Sequence, residues 1–476
     1  MDSSRLSHER GLAYSLIARA SRNTLLVALT ALSACGSGAG GGTFGTAPQP
    51  SGKWTWQTGA SSDPVAVYGL LGQPAAANTP GGRELASAWK DAAGNFWLFG
   101  GFGLDSTGSS VWLNDLWKFS AGQWTWIGGP EVGNANGVYG TLGLPAPGNS
   151  PGGRESAVSW TDSSGNLWLF GGNGFDSASG TAMLNDLWKY SGGEWTWVSG
   201  SSTAGHVGVY GTLGVPDQNT TPGARQRALS WVDSSGSLWL FGGFGVDATG
   251  TSGSLNDLWK YAGGRWTWVS GGQVVNQKGV YGTQGVATPD TVPGARYGAS
   301  AWVDASGTLW LYGGFGYSAA GATGLLNDLW KFSNGQWTWV SGSSATGQAG
   351  SYGVLGVAAA SSYPGARMSA LSWADASGHF WLFGGQASPP GGTVMQFNDL
   401  WKYSNGQWAW QSGANTINQV GAYGSKGTAA SGNVPGARAG SAGWADANGD
   451  LWLFGGYVVL GQNTPRDLND LWAFKP

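Results

Sequence analysis

The chain has 476 residues and a formal net charge of −3, and only 10% of its residues are charged. It has no basic stripe, which argues against a nucleic-acid partner. Its single cysteine, Cys35, excludes a disulfide framework and a Cys-rich metal site. The 87 Gly and 19 Pro approach aperiodic low complexity, but 31 Trp supply the buried area that disordered chains lack.

In chain order, the first element is a targeting segment. Arg19 and Arg22 precede an apolar run over 24–32, followed by Ser33, Ala34 and Cys35. A positive flank, a short apolar core and small residues before a cut describe a secretory signal too short to span a bilayer permanently. Leu32-Ser33-Ala34-Cys35 also looks like a bacterial lipobox, whose Cys becomes the lipidated first residue. The expected division is a lipoprotein signal peptide over 1–34, lipid attachment at Cys35 and a flexible Gly-rich tether over 35–52. Gly36 after the Cys, with no Asp there, is similar to Gram-negative lipoproteins exported to the outer membrane. The expected address is therefore the cell envelope, lipid-anchored. A coincidental Cys in an ordinary signal would instead give a secreted protein.

From 53 to 476 the sequence repeats every 71 residues. The Arg of PG(A/G)R stands at Arg83, Arg154, Arg225, Arg296, Arg367 and Arg438. The Asp of NDLW stands at Asp115, Asp186, Asp257, Asp328, Asp399 and Asp470, and a Gly-Gly pair recurs in step with both. So strict a period marks a repeat architecture. Within the unit 222–271, a first strand is predicted over 224–231 and a tight turn over 233–236. A second strand over 238–241 ends at Gly242-Gly243, and a loop of about ten residues leads on. A third strand over 255–261 turns at 262–264 into a fourth over 265–270. The second strand is apolar at successive positions, as a strand buried on both faces must be. The fold expected is all-β: a six-bladed β-propeller with four antiparallel strands per blade. The chain opens with a lone fourth-strand motif, Trp54-Thr55-Trp56, and ends without one. The ring is thus predicted to be closed by the N-terminal strand, which leaves no free edge between the chain ends.

The Gly-Gly after an apolar strand, the NDLW third strand, the fourth-strand Trp and the Arg opening the first strand resemble the kelch family over 54–475. The period departs from the family's roughly 50 residues. The excess lies in long segments such as 205–225, each with a Tyr-Gly pair (68, 139, 210, 281, 352 and 423). Galactose oxidase shares the kelch-like propeller, and the resemblance would place a copper site with two His and a Tyr–Cys cross-link. The only Cys is in the lipobox, and His206 and His379 fall on opposite faces. That activity is excluded, and no cofactor or metal is expected.

Strand alternation puts the second-to-third loops and the long segments on one face, where function is expected. Arg225 and Asp257 flank the bare glycines, and strands two apart lie roughly 10 Å from each other. The twelve repeated Arg and Asp are therefore expected to be blade-locking ion pairs. An Arg ring gripping an anionic ligand is the rival, disfavoured because Asp repeats as strictly as Arg. Five Trp per repeat are core. Trp112, placed in a second-to-third loop, is a sugar-stacking or partner anchor, or packs at an edge.

Departures from the repeat supply the remaining candidates. After the repeated Arg, the six copies read Glu84-Leu85, Glu155-Ser156, Gln226-Arg227, Tyr297-Gly298, Met368-Ser369 and Ala439-Gly440. The loops of the first three copies add Asp105, Asp176 and Asp247, and His206 lies in a long segment. Half the channel mouth is thus expected to be acidic and hydrogen-bonding, unless the differences are drift among duplicated blades. The function expected is a non-enzymatic, monomeric binding scaffold for protein or glycan. The alternative is a carbohydrate-active enzyme, mutarotase- or epimerase-like, using Glu84 and Glu155 for acid–base work.

Overall fold

A computed structural model describes residues 52–60, 64–375, 377–388, 391–460 and 464–476. The signal segment, Cys35 and the tether as far as residue 51 lie outside the described residues. The described chain is a six-bladed β-propeller of antiparallel strands. In the first blade, the innermost strand is in two pieces, Arg83–Glu84 and Ser87–Lys90. Phe96–Leu104, Ser110–Ser120 and Gln123–Gly128 follow outward in order. The six innermost strands touch one another in a closed cycle, and the last meets the first. In the sixth blade, Lys53–Thr58 pairs with the strand Thr464–Lys475, with Trp54 opposite Phe474. The N-terminal strand therefore closes the ring.

The hydrophobic core lies between blades as much as within them. Trp89, Phe99 and Leu116 of the first blade pack with Leu167, Leu169 and Trp188 of the second. Ala442, Phe454 and Leu471 of the sixth pack with Leu98 and Trp117 of the first. This is why the second strand is apolar on both faces. Charged repeat residues serve the same end. Each Lys of the five LWK motifs sits 5.1–5.9 Å from the ring of a second-strand Trp, within cation–π range.

Two strand assignments differ from expectation. In most blades the second strand does not end at Gly-Gly. In the first, a bulge between Phe99 and Gly101 absorbs the glycines, and the strand runs on to Leu104. Gly100 and Gly101 have φ of +62° and +95°, and a Cβ at Gly100 would stand 2.8 Å from the Arg154 carbonyl oxygen of the next blade. Glycine is thus required both by the left-handed backbone and by the approach of the neighbouring blade. The predicted ten-residue loop shrinks to the turn 105–109, and Trp112 lies on the third strand, not in a loop. The innermost strand is also interrupted, between Glu84 and Ser87 in the first blade.

The long segments explain the 71-residue period. In the first, Val67 and Thr79 bond to each other through both backbone N–H groups, and Gly72 N–H donates to the Trp126 carbonyl of the outermost strand. Ala75 bridges Trp124 of the same strand. The extra residues of each repeat therefore cover an outer blade edge that would otherwise be open to pairing. They also carry the exposed large hydrophobic side chains, from Leu70 and Leu71 to Ile417 and Val420.

Candidate ligand site at the channel mouth

The repeated polar residues are consumed by the fold. In all six blades, Arg Nη1 lies 2.6–2.7 Å from Asp Oδ1. Nη2 donates to Oδ2 at 2.7–2.9 Å. Nη1 also donates to the carbonyl of the first Gly of the pair. Oδ2 further accepts the Tyr hydroxyl of the long segment and the Trp Nε1 two residues on; in the third blade these are Tyr210 and Trp259, both at 2.7 Å. Burial and the neighbouring Asp257 push the Tyr210 hydroxyl far up, so it stays protonated and donates. The Tyr-Gly motif, unexplained by sequence, pins each long segment to its blade.

The turn aspartates behave alike. Asp233 accepts from Ser235 and Ser237 backbone N–H groups and from Trp239 Nε1. Burial alone would raise its pKa, but the Ser235 hydroxyl, Trp239 and the backbone outweigh it and hold the carboxyl at about 2.

Three of the expected mouth residues are in fact turn closers. Asp105, Asp176 and Asp247 are buried, with carboxylates turned onto their own loops. Asp105 Oδ1 accepts the Thr107 and Ser109 N–H groups, and Oδ2 accepts Gly133 N–H. Asp176 and Asp247 repeat the pattern. In the fourth blade Ser318 substitutes, accepting Ala322 N–H. The apparent acidity of these loops is therefore spent internally. Trp112 packs edge-on against Phe102 and Phe175, at 6.1 and 5.7 Å between centroids, bridging two blades. His206 is exposed, with Nε2 2.9 Å from Thr203 Oγ1. Its carbonyl accepts the Ala224 N–H at 2.8 Å, but among the described residues its side chain bonds only Thr203.

Inside the channel, the break in each innermost strand has a purpose. Leu85, Ser156, Arg227, Gly298, Ser369 and Gly440 all have φ between +52° and +68°. Each donates its backbone N–H to the carbonyl of its counterpart in the preceding blade, at 2.7–3.1 Å, and Leu85 closes the circle onto Gly440. A ring of six hydrogen bonds thus forms a waist around the channel axis. Left-handed backbone costs a non-glycine residue on the order of 1 kcal/mol, and the ring supplies the compensating bonds. The six residues, with the Ala or Ser that follows each, line a cavity of about 170 Å³.

One position before the waist, on the side of the long segments, stand Glu84, Glu155, Gln226, Tyr297, Met368 and Ala439. They divide into two arcs. Tyr297 and Met368 join Phe315, Leu325 and Ala366 in an apolar cluster, and Tyr297 meets Phe244 edge-on at 5.8 Å. The opposite arc is polar. Burial raises the Glu84 pKa well above the ordinary carboxylate range, and the negative charges of Asp467 and Glu155 raise it further against the opposing charge of Arg227. Arg227 also reaches Tyr297 electrostatically, where it partly offsets the rise that burial causes. The structure therefore brings Glu84, Glu155 and Arg227 within one field, with Asp467 added. Among the described residues, the Glu155, Gln226 and Arg227 side chains make no hydrogen bond or ion pair. Asp467, Tyr297 and Ser156 were not among the expected site residues. Asp467 occupies the repeat position of Trp112, Met183 and Ser254, so a column-by-column comparison of the third strand would have flagged it.

Among the described residues, no group of three or more His, Cys, Asp or Glu is placed to hold a metal ion. Among the described residues, no helix is long and apolar enough to cross a membrane.

No family model matches the sequence, and no curated protein matches it. Among solved structures, the chain is similar to "Structure of YjhT", with a TM-score of 0.46 at 15% identity, over 83% of this chain and 95% of that one. It is also similar to a "novel fungal alcohol oxidase with catalytic diversity among the AA5 family, in complex with copper", with a TM-score of 0.45 at 12% identity, over 86% of this chain and 77% of that one.

Proposed function

We propose that this protein is a kelch-type binding propeller of the cell envelope, anchored through a lipid on Cys35, that takes a glycan end in its channel mouth. The observation that carries the reading is the contrast between two sets of polar groups. The repeated Arg and Asp are buried and fully partnered, whereas Glu155 and Arg227 act on Glu84 at the mouth and, with Gln226, make no side-chain hydrogen bond or ion pair among the described residues. Facing them is the apolar arc of Tyr297 and Met368. Hydroxyls on one side and a C–H face on the other are what a sugar presents, and an aromatic ring beside fixed polar groups suits both. The test is a glycan array, followed by calorimetry with Glu155→Gln and Tyr297→Ala. Each substitution is expected to weaken the selected glycan at least about tenfold, and unaltered affinity in both would overturn the reading. The anchor is tested by metabolic labelling with an acyl analogue, which Cys35→Ala should abolish.

A second reading rests on Glu84. Burial and two negative neighbours raise the Glu84 pKa, and a raised carboxyl close to a second carboxylate is the arrangement of a general acid with a base. On this reading the mouth catalyses proton transfer on a sugar, as in anomer interconversion. Proton NMR of anomer equilibration would show a protein-dependent rate that Glu84→Gln removes. The absence of any rate above buffer, with binding intact, leaves the binding propeller.

A further inference from the structure

Resting on the same mouth, we propose that the waist beneath it is a carboxylate subsite, in which Arg227 and Ser156 take the acid group of a singly charged, hydroxyl-bearing ligand. Three observations lead there. First, the cavity of about 170 Å³ is lined by all six waist residues, and Arg227 is the only charged side chain among its lining. Second, its guanidinium has five donors and none is used within the described chain. The six repeated arginines, by contrast, are each fixed by an aspartate. Third, Ser156 lines the same cavity, is 7% exposed, and its Oγ is buried without a hydrogen-bond partner. A buried, unbonded hydroxyl and a guanidinium without an ion-pair partner on the lining of one cavity can together donate to an anionic oxygen. Arg227 N–H donates to the Ser156 carbonyl at 2.9 Å, so the two residues are held side by side by the waist itself.

The charges nearby narrow the ligand. Glu155 and Asp467 both lie within the field of Glu84, one position above the waist. A dianion such as phosphate would bring a second negative charge against them. A monocarboxylate brings one charge, which Arg227 balances, and its hydroxyls donate upward to Glu84 and Glu155. Sequence gives an independent reason to treat Arg227 as dispensable for folding. The equivalent waist positions hold Leu85, Gly298 and Gly440, so the ring needs the backbone of this residue and not its side chain.

The experiment uses the purified protein and three probes, glucuronate, glucose and inorganic phosphate, in calorimetric titrations of the wild type, Arg227→Leu and Ser156→Ala. Glucuronate is expected to bind at least about tenfold more tightly than glucose or phosphate. Arg227→Leu should abolish that preference, and Ser156→Ala should lower it severalfold. Thermal melting of both variants checks the fold, and Arg227→Lys, which keeps the charge, should retain part of the preference. If glucose binds and glucuronate binds no better, or if Arg227→Leu leaves the preference intact, the carboxylate subsite is refuted while the sugar-binding mouth stands. If neither sugar binds at tens of millimolar, both fail together.

Discussion

Replacing Asp257 with Ala removes the hub of one blade's fastening. Its carboxylate holds both terminal nitrogens of Arg225 at 2.7 Å and accepts from Tyr210 and Trp259. Both members of the ion pair have side chains 0% exposed. Stranding a buried guanidinium costs about 3–5 kcal/mol. The Tyr210 hydroxyl and Trp259 Nε1 lose their acceptor as well, each worth about 1–3 kcal/mol when left unpaired in the interior. Water entering the void would recover some of this, so the expected loss is about 5 kcal/mol, comparable with the entire stability of many domains. Tyr210→Phe, which removes one bond and no charge, should cost about 1–2 kcal/mol. The double change Arg225→Met with Asp257→Leu should lie between the two, because no lone charge remains buried. The assay is urea unfolding followed by tryptophan fluorescence, with hydrogen exchange showing whether the loss concentrates in the third blade. A D257A protein within about 1 kcal/mol of wild type would refute the claim that these tetrads lock the ring.

Three further outcomes follow from single side chains. In five blades the Asn before the repeated Asp accepts a backbone N–H from the long segment, as Asn185 does from Ser201. In the first blade Pro130 has no N–H to give and Asn114 Oδ1 is buried without a partner, so Pro130→Ser should stabilise by up to about 1 kcal/mol, measured by chemical denaturation. Asp233 has a native pKa of about 2 against 3.8 unfolded, so its stabilisation is complete above the unfolded value and is lost as pH falls through the native one. Asp233→Asn should cost about 2 kcal/mol at neutral pH, and the difference from wild type should vanish below about pH 2 in acid melts. Glu84 has the opposite sign. Its raised native pKa means the folded state holds the proton longer, so stability falls as pH climbs from the unfolded value through the native one. Glu84→Gln should therefore melt higher than wild type at pH about 8, and the gap should close as pH falls toward 4; a constant gap would show that burial of the charge is not its origin.

The sequence alone determined the number of blades, the strand order, the closure by Trp54-Thr55-Trp56 and the Arg–Asp pairing. Each of these is repeated six times or read from which motif is missing at an end, so the pattern carries the geometry with it. Periodicity also assigned Arg83 and Asp115, with their copies, to the fold and so removed them from the site. What it did not determine is where a non-repeating polar side chain points. Asp105 and Glu155 looked equivalent as departures, yet one closes its own turn through backbone N–H groups and the other stands without a partner at the mouth. Trp112 looked like a loop anchor because the Gly-Gly pair read as a strand end, when a bulge carries the strand past it. The waist was also invisible, since nothing in Leu, Ser, Arg and Gly at one repeat position announces a shared left-handed backbone. It exists because each of the six N–H groups finds a carbonyl in another blade, a partner that only ring closure supplies. For the waist, tertiary structure alone decides, because the bonds that set it join residues of different blades.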